Sequence, residues 1–497
     1  MAAGKEVVEG MEWRIRVADG SSEALVPATG LAGKVWVGIE GILWGFALKV
    51  WMFFKRACAI GANDPRKVIH CLKVGLALAL VSLFYFIKPL YDGVGGNSMW
   101  ALMTVVLVFE TTVGATLYKC INRVFATFLA GFLAVGVHWV ACRSGETLEP
   151  YVVGASVFLL ASAATFSRLI PTVKSLFDYG AMVFILTFSF VVVSGYRVDK
   201  LFDMARNRVS TIIIGTSLCI LVIMFVCPIW SGQELHSLIV RNMDKLADSL
   251  DGCVTQYFNQ SGECTNNLEE AGKKLQGYKC VLSSKASEES MANFARWEPS
   301  HGKFKFQHPW KQYVKIGSSM RGCAYCIEAL NSCIGSENQA SLIKKHVSKG
   351  CMKVSSSSSN AIRELAEIVK TMKKSSTIDS LVSEMNSAVQ ELQNDLKSLP
   401  GSWNRSTVRE HKTLEVAWSE ATPTVHFPVM EMIPVVSLAC ILIEISGQIE
   451  AMVDAVGELA KLAEFGVHED KCKLSEMEEK NEGTVKALSS NPRFSEL

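Results

Sequence analysis

The sequence predicts an all-α membrane protein with six transmembrane helices per subunit and a C-terminal cytosolic helical domain. Residues 68–230 form a nearly unbroken series of apolar runs, whereas residues 231–497 are polar, charged and helical in pattern. Averages over the 497 residues, with 49% hydrophobic residues and a net charge of +2, hide this division. The near-neutral charge gives no reason to expect nucleic acid as a partner. We therefore predict three segments: 1–66, 67–230 and 231–497.

The first segment is predicted to be cytosolic and to carry an interfacial amphipathic helix. Residues 1–33 are polar and mildly acidic, and they show no cleavable signal peptide. Residues 34–56 are long enough to cross a bilayer, but they contain Glu40, Lys49 and three tryptophans. That mixture is typical of a helix lying in the membrane interface, and a spanning helix is the alternative.

Six apolar runs follow, most of them close to the ~20 residues that a bilayer span needs. They cover residues 68–87, 99–117, 124–142, 151–166, 179–195 and 209–229. The loops between them are short, which favours adjacent antiparallel helices. Basic residues near the span ends are more numerous on the side of the N-terminus, a modest bias that places this side inside.

Positive charges within this membrane segment are the strongest functional signal. An ionisable residue inside a bilayer costs about 2.5–3.5 kcal/mol by insertion scales and marks a functional candidate. The loop before the sixth span is especially basic, although the topology places it outside. We interpret these charges as the lining of an anion pathway. The candidate residues are Arg123, Arg208, Lys174, Arg197 and Lys119.

The alternatives for these residues are structural. Lys119, Arg123 and Lys174 also fit ordinary anchoring at the inner face. Arg208 also fits an ion pair with Asp199 or Asp203.

Acidic residues and a histidine in the same segment have their own interpretations. Glu110, inside the second span, is expected to neutralise one of the basic residues, and carrying a proton is the alternative. His138 is interpreted as a packed interfacial residue. The topology places five acids on the outer side, and they are candidates for a cation-sensing site because clustered carboxylates bind hard polyvalent cations. They are Asp92, Glu146, Glu149, Asp199 and Asp203. Exposed acids balancing exposed bases is the alternative.

The motifs of an enzyme are missing from the sequence. It has no phosphate-binding glycine loop with its lysine and no zinc-spaced His/Cys set. The 15 cysteines are spread without a regular framework, which favours reduced thiols. We expect no catalytic residues, no cofactor and no certain metal site.

The C-terminal segment carries amphipathic patterns that predict seven helices. They cover about 234–257, 266–284, 308–335, 339–352, 359–374, 378–398 and 434–465. The serine run Ser355–Ser359 is interpreted as a linker. Between Leu438 and Ala463, apolar residues alternate at spacings of four and three, which predicts a seam against another helix. That helix belongs either to the same chain or to a partner subunit.

Several motifs resemble one known family. They are MWALMTVVLVFETTVGATL at 99–117, NRVFAT at 122–127, DYGAMVFILTFSFVVVSGYR at 178–197, and Trp297-Glu298-Pro299 with the following His308-Pro309-Trp310. Together they are similar to the plant aluminium-activated malate transporter family, and the similarity covers about residues 60 to 470.

The resemblance implies an anion channel that passes malate and inorganic anions, formed by a homodimer with the pore between two six-span subunits. By motif match, the pore arginines fall on Arg123 and Arg208, and a pore lysine falls on Lys174. We expect the motif Trp297, Glu298, Pro299 to be structural and to fix a turn of the cytosolic domain beneath the pore. A proton-coupled organic-acid exporter is the alternative function.

The resemblance also bears on gating and location. Family members gated by aluminium use outer acids, and Asp92, Asp199 and Asp203 stand at those places. Lys200 lies among them in this chain, and we expect its positive charge to weaken cation binding. The plasma membrane is the expected location, with the vacuolar membrane as the alternative.

Overall fold

The computed structural model describes residues 14–16, 22–24, 31–87, 99–145, 147–195, 201–258, 275–334, 341–411 and 429–466. Within them the fold is all-α apart from one short strand pair. The chain divides into two compact units, Met1–Leu72 and Lys73–Leu497.

The first unit contains a strand pair that the sequence analysis did not predict. Strands β1 (Arg14–Arg16) and β2 (Ser22–Ala24) run antiparallel. Helix α1 (Leu31–Asn63) extends beyond the predicted 34–56 at both ends. Its side chains from residue 43 to residue 60 are almost all exposed, aromatic ones included. An interfacial position for this helix stays a prediction.

Six apolar helices follow in the described part of the chain. They are α2 (Pro65–Phe86), α3 (Met99–Val108), α4 (Val113–Arg143), α5 (Glu149–Ser167), α6 (Pro171–Gly195) and α7 (Leu201–Phe225). Among the described residues, five helices are long and apolar enough to cross a membrane: Val113–Arg143, Glu149–Ser167, Pro171–Ser194, Arg208–Phe225 and Ile433–Leu462. The predicted class, an all-α membrane protein, is confirmed.

The predicted boundary between the second and third spans is wrong. Helix α3 ends at Val108 rather than Leu117, and α4 begins at Val113 rather than Val124. The break is made locally, because the Thr112 side chain caps α4 by accepting a hydrogen bond from the Ala115 N–H at 3.4 Å. The candidate basic residues near this boundary therefore lie inside a long helix, not at its start.

Close packing joins these helices. Helix α4 packs against α6 and α7, α3 against α7, and α5 against α6. Gly215 of α7 lies so near α3 that a Cβ atom there would be 3.1 Å from the Ala101 carbonyl oxygen. A small residue at such a contact lets two helix backbones approach. Helix α5 has no buried residue, so it lies at the edge of this group.

Seven described helices form the C-terminal part of the chain. They are α8 (Ser231–Phe258), α9 (Tyr278–Ser283), α10 (Lys285–Ala295), α11 (Trp310–Ile334), α12 (Ser341–Thr371), α13 (Ile378–His411) and α14 (Val429–Leu462). Their buried apolar side chains form one continuous core. Helix α10 was not predicted, and the predicted helix 266–284 coincides with the described structure only near α9.

The apolar seam of α14 finds its partner within the same chain. From Leu438 to Leu459, the residues of the predicted seam are fully or almost fully buried. Helix α14 packs against α11, where the Cys323 thiol lies 4.0 Å from the Ile445 carbonyl oxygen. The predicted 3.5-residue period is confirmed, and the choice between the two partners is settled.

The prediction of a linker at Ser355–Ser359 is wrong. These residues lie inside α12, which joins two predicted helices into one. Four of the five serines are buried. The Ser359 hydroxyl donates to the Ala247 carbonyl of α8 at 3.2 Å and to the Asp251 carboxylate at 2.8 Å. The Ser359 hydroxyl is thus satisfied across a close contact between two helices.

Candidate functional site

Arg123 lies on α4 and is buried, with 6% of its surface exposed. Its terminal nitrogen Nη1 donates to the Tyr179 hydroxyl of α6 at 3.3 Å. Its Nε is buried and has no hydrogen-bond partner among the described residues. The ion pairs found in that part of the chain include no carboxylate for Arg123. Within the described structure, the Arg123 guanidinium is therefore held by Tyr179 and is not neutralised by an acid.

Arg208 lies on α7 and is buried in the same way, with 7% exposed. Its guanidinium carbon stands 3.4 Å from the centroid of the Trp100 ring and 4.0 Å from that of the Phe190 ring. Such short distances place it in cation–π contact with both rings. One terminal nitrogen, Nη2, is buried without a hydrogen-bond partner in the described regions. Aromatic faces thus position this guanidinium, and its Nη2 is not used by any described residue.

The two arginines lie at successive depths. The Cys120 thiol of α4 contacts the Thr216 carbonyl oxygen of α7 at 3.8 Å, which sets the register of these helices. Arg123 lies three residues beyond Cys120, a rise of about 5 Å, and Arg208 lies eight residues before Thr216, a rise of about 12 Å. The Val113 N–H at the start of α4 donates to the Ile229 carbonyl, beyond the end of α7, at 2.8 Å, so the two helices are antiparallel and both rises lead the same way. The two positions are therefore about 7 Å apart along the helix axes.

Thr127 adds a hydroxyl one turn beyond Arg123. It is buried, and its Oγ1 has no hydrogen-bond partner in the described structure. A hydroxyl is both a donor and an acceptor, so it complements an anion beside the guanidinium. The sequence analysis did not single out this residue, since a threonine in an apolar run carries no signal of its own.

Lys119 differs from the arginines because its charge is paired. Its ammonium forms an ion pair with the Glu110 carboxylate and stands 5.5 Å from the centroid of the Tyr179 ring. The expectation that Glu110 neutralises a basic residue is thus met, with Lys119 as the residue.

The structure gives less information on the other predicted site residues. Lys174 is exposed in the first turn of α6. Arg197, Asp92 and Asp199 lie outside the described residues. Asp203 belongs to the first turn of α7, and its side chain is outside the described part.

A buried lysine that the site prediction left out is Lys73 of α2. Its ammonium is 1% exposed and donates to the Cys227 carbonyl at 2.6 Å. This carbonyl belongs to the segment after α7, where Cys227 has a φ of 42°. The contact ties the first apolar helix to the end of the last one. A lysine within an apolar run was the available signal.

Glu298 joins two helix N-termini. Its carboxylate accepts hydrogen bonds from the Gly114 N–H at the start of α4 at 3.0 Å, and from the N–H groups of Ser231 and Gly232 at the start of α8 at 2.6 and 3.0 Å. A negative charge at this position compensates the unpaired N–H groups and the dipoles of both helices. Burial raises the pKa of the Glu298 carboxyl, and the donated bonds oppose that shift.

The neighbours of Glu298 complete the junction. The Trp297 ring packs edge-on against the Tyr118 ring of α4, with centroids 5.7 Å apart. The Pro299 carbonyl lies 2.9 Å from Nδ1 of His301, and the His301 ring stacks on the Trp230 ring at 3.9 Å. The motif therefore contacts both the apolar helices and the C-terminal helices.

The sequence matches the family described as aluminium activated malate transporter over residues 58–421. Three similar proteins illustrate the range of sequence identity. Aluminum-activated malate transporter 10 of Arabidopsis thaliana is 53% identical over 92% of this chain and 94% of its own length. Aluminum-activated malate transporter 2 of the same plant is 43% identical over 84% and 79%. Aluminum-activated malate transporter 1 of Triticum aestivum is 36% identical over 92% and 94%.

Proposed function

Because the chain belongs to the aluminium-activated malate transporter family, we propose that it is an anion channel that passes malate and inorganic anions passively across a plant membrane. The proposal places the protein in the plasma membrane. It assigns the conduction pathway to the buried basic residues of α4 and α7.

Arg123 and Arg208 are buried and have no carboxylate partner among the described residues, and this observation carries the proposal. An uncompensated charge in a low-dielectric interior costs several kcal/mol. Both guanidiniums also keep a buried nitrogen without a partner in the described structure. A mobile anion supplies the missing charge and the missing acceptors. Arg123 and Arg208 lie at different positions along the helix axes, and they provide two successive binding positions for a dicarboxylate.

Weak binding is as important as attraction, because conduction requires release. Arg208 is fixed by the faces of Trp100 and Phe190, and such contacts contribute about 0.5–2 kcal/mol. They hold the guanidinium in place without adding negative charge to the pathway. Lys119 contributes less positive electrostatic potential to the pathway than the two arginines, since Glu110 neutralises its charge.

The direction of transport follows from the membrane potential. A cell interior about 100 mV negative favours the exit of a dianion by roughly 4.6 kcal/mol, twice the ~2.3 kcal/mol of a single charge. Efflux therefore needs neither ATP nor a coupled ion.

The proposed architecture has six spans, α2 to α7, with α3 as a short one. The N-terminal segment and helices α8 to α14 lie in the cytosol. Two copies form a homodimer, and the pore lies between them, so that the basic residues are doubled by symmetry. Helix α5, which buries no residue of its own chain, is free to face lipid or the second copy.

Reconstitution in a planar bilayer tests the function. With malate and then nitrate at unequal concentrations, the current should reverse at the equilibrium potential of the anion, whatever the proton gradient. A reversal potential that follows the proton gradient would instead support the proton-coupled exporter. The Glu110→Gln variant sharpens the test, because an exporter that uses this carboxylate would lose its coupling and a channel would keep its reversal potential.

A further inference from the structure

Three metal-binding side chains meet where α4 ends and α5 begins. His138 and Cys142 are four residues apart on α4, so they lie on one helix face. Glu149 is the first residue of α5. His138 Nε2 lies 3.5 Å from the Cys142 sulfur. One ligand atom from each of the three residues lies within 4.8 Å of the other two.

These distances fit one tetrahedral zinc ion. Bonds of about 2.0–2.3 Å from zinc to nitrogen, oxygen and sulfur place neighbouring ligand atoms about 3.3–3.7 Å apart. The nitrogen–sulfur distance between His138 and Cys142 is already in this range. The Glu149 carboxylate reaches the same range by a change of about 1 Å, within the freedom of its side-chain torsions.

The ligand types select the class of metal. Imidazole and thiolate suit zinc and related transition-metal ions. Calcium and magnesium, like other hard cations, prefer oxygen ligands throughout. The set therefore differs in chemistry from the outer carboxylates Asp92, Asp199 and Asp203.

The position is accessible to ions. Helix α4 has 31 residues and is about 46 Å long, against about 30 Å for the hydrocarbon core of a bilayer. Its first turn is bonded to Glu298, so the last turns stand at the opposite end. Cys142 is exposed there, and the neighbouring Arg143 is occupied by cation–π contact with Trp139 at 4.5 Å.

We propose that His138, Cys142 and Glu149 bind zinc or a similar divalent transition-metal ion, with water in the fourth position. The bound ion fastens the end of α4 to the start of α5 across the turn between them. The site shares no residue with the anion pathway, although α4 also carries Arg123. The sequence shows no zinc spacing here, because Glu149 follows His138 and Cys142 only after the turn between two helices.

Alkylation of Cys142 measures metal binding at this site and does not require a transport assay. The full-length protein in detergent is treated with a maleimide, and labelling of each cysteine is followed by mass spectrometry with and without zinc. Zinc should slow labelling of Cys142 at least about tenfold and leave Cys58, an exposed cysteine of α1, unchanged. Calcium and magnesium at the same concentration should have no effect.

Variants of the other two ligands complete the test. His138→Ala and Glu149→Gln should each raise the zinc concentration for half-protection at least about tenfold. Even the loss of a side chain that only orients a metal ligand weakens metal binding about 10–100-fold. His138→Cys should restore protection, and Ser144→Ala in the same turn should behave like the unchanged protein. Absence of protection in the unchanged protein, or equal protection in all variants, would overturn the site. Neither result depends on whether the protein conducts anions.

Discussion

The carboxylate of Glu298 accepts a hydrogen bond from the backbone N–H of Gly114, although the two residues are 184 positions apart in the chain. The same carboxylate accepts from the start of α8, so one side chain caps a candidate membrane helix and the first C-terminal helix. Gly114 lies directly against the Phe294 carbonyl, where no Cβ atom would fit. This junction places α4, with Arg123, in fixed relation to the C-terminal helices.

Glu298→Ala is expected to destabilise the protein. The substitution leaves three backbone N–H groups without their acceptor, and loss of a helix cap costs about 0.5–2 kcal/mol for each helix. The melting temperature of the purified protein and its abundance at the membrane should both fall. Glu289→Ala, which removes an exposed acid of α10, should change neither. Normal currents from a normal amount of Glu298→Ala protein would contradict the structural role of the motif.

Arg123→Ala and Arg208→Ala should each reduce the anion current at equal surface abundance. A charge-assisted hydrogen bond contributes about 1.5–3 kcal/mol. Removing one guanidinium that binds the anion should therefore lower the malate current about tenfold. Patch recordings with malate on one face provide the measurement. Arg56→Ala, at an exposed position on α1, is the matched control. Wild-type conductance in both variants would remove these residues from the pathway.

Arg208→Lys should give a current between those of the unchanged protein and Arg208→Ala. Lysine keeps the positive charge but lacks the planar guanidinium that stacks on Trp100 and Phe190. Its flexible ammonium should therefore be positioned less well. Recordings of the three proteins in the same malate gradient decide the order. A current for Arg208→Lys equal to that of the unchanged protein would show that charge alone matters and that stacking does not.

Stability should fall as the pH is lowered from about 6.5 towards 4. Burial lowers the pKa of His236 and of His308 from 6.5 to about 4. Both imidazoles contact the Tyr313 hydroxyl, at 3.0 and 3.3 Å. Between the two pKa values the unfolded chain binds more protons than the folded one, so acid favours unfolding by up to about 1.4 kcal/mol per pH unit for each histidine.

Melting temperatures at pH 7 and pH 5 test this dependence. The decrease should be smaller in His308→Gln, since one of the two buried groups no longer titrates. The same comparison for His236→Asn gives an independent check. Equal decreases in the unchanged protein and both variants would assign the pH dependence to other groups.

Local patterns in the sequence determined the class of the protein and much of its helical content. The apolar runs predicted membrane helices because their length matches a bilayer, and the seam from Leu438 to Leu459 predicted a buried stripe because its period matches a packed helix. The charged residues Arg123 and Arg208 stood out because charge is costly in such runs. Each of these signals depends only on residues close together in the chain.

Only the tertiary structure decided which residues are paired, capped or buried together. Lys119 and Arg123 look alike in the sequence, but Glu110 neutralises the first, and the described residues offer no carboxylate to the second. The serines at 355–359 suggest a linker in the sequence, but they lie inside α12, where the Ser359 hydroxyl bonds to α8. Glu298 reaches two helix starts that are distant in sequence. Such contacts depend on packing between remote segments, and no local period carries that information.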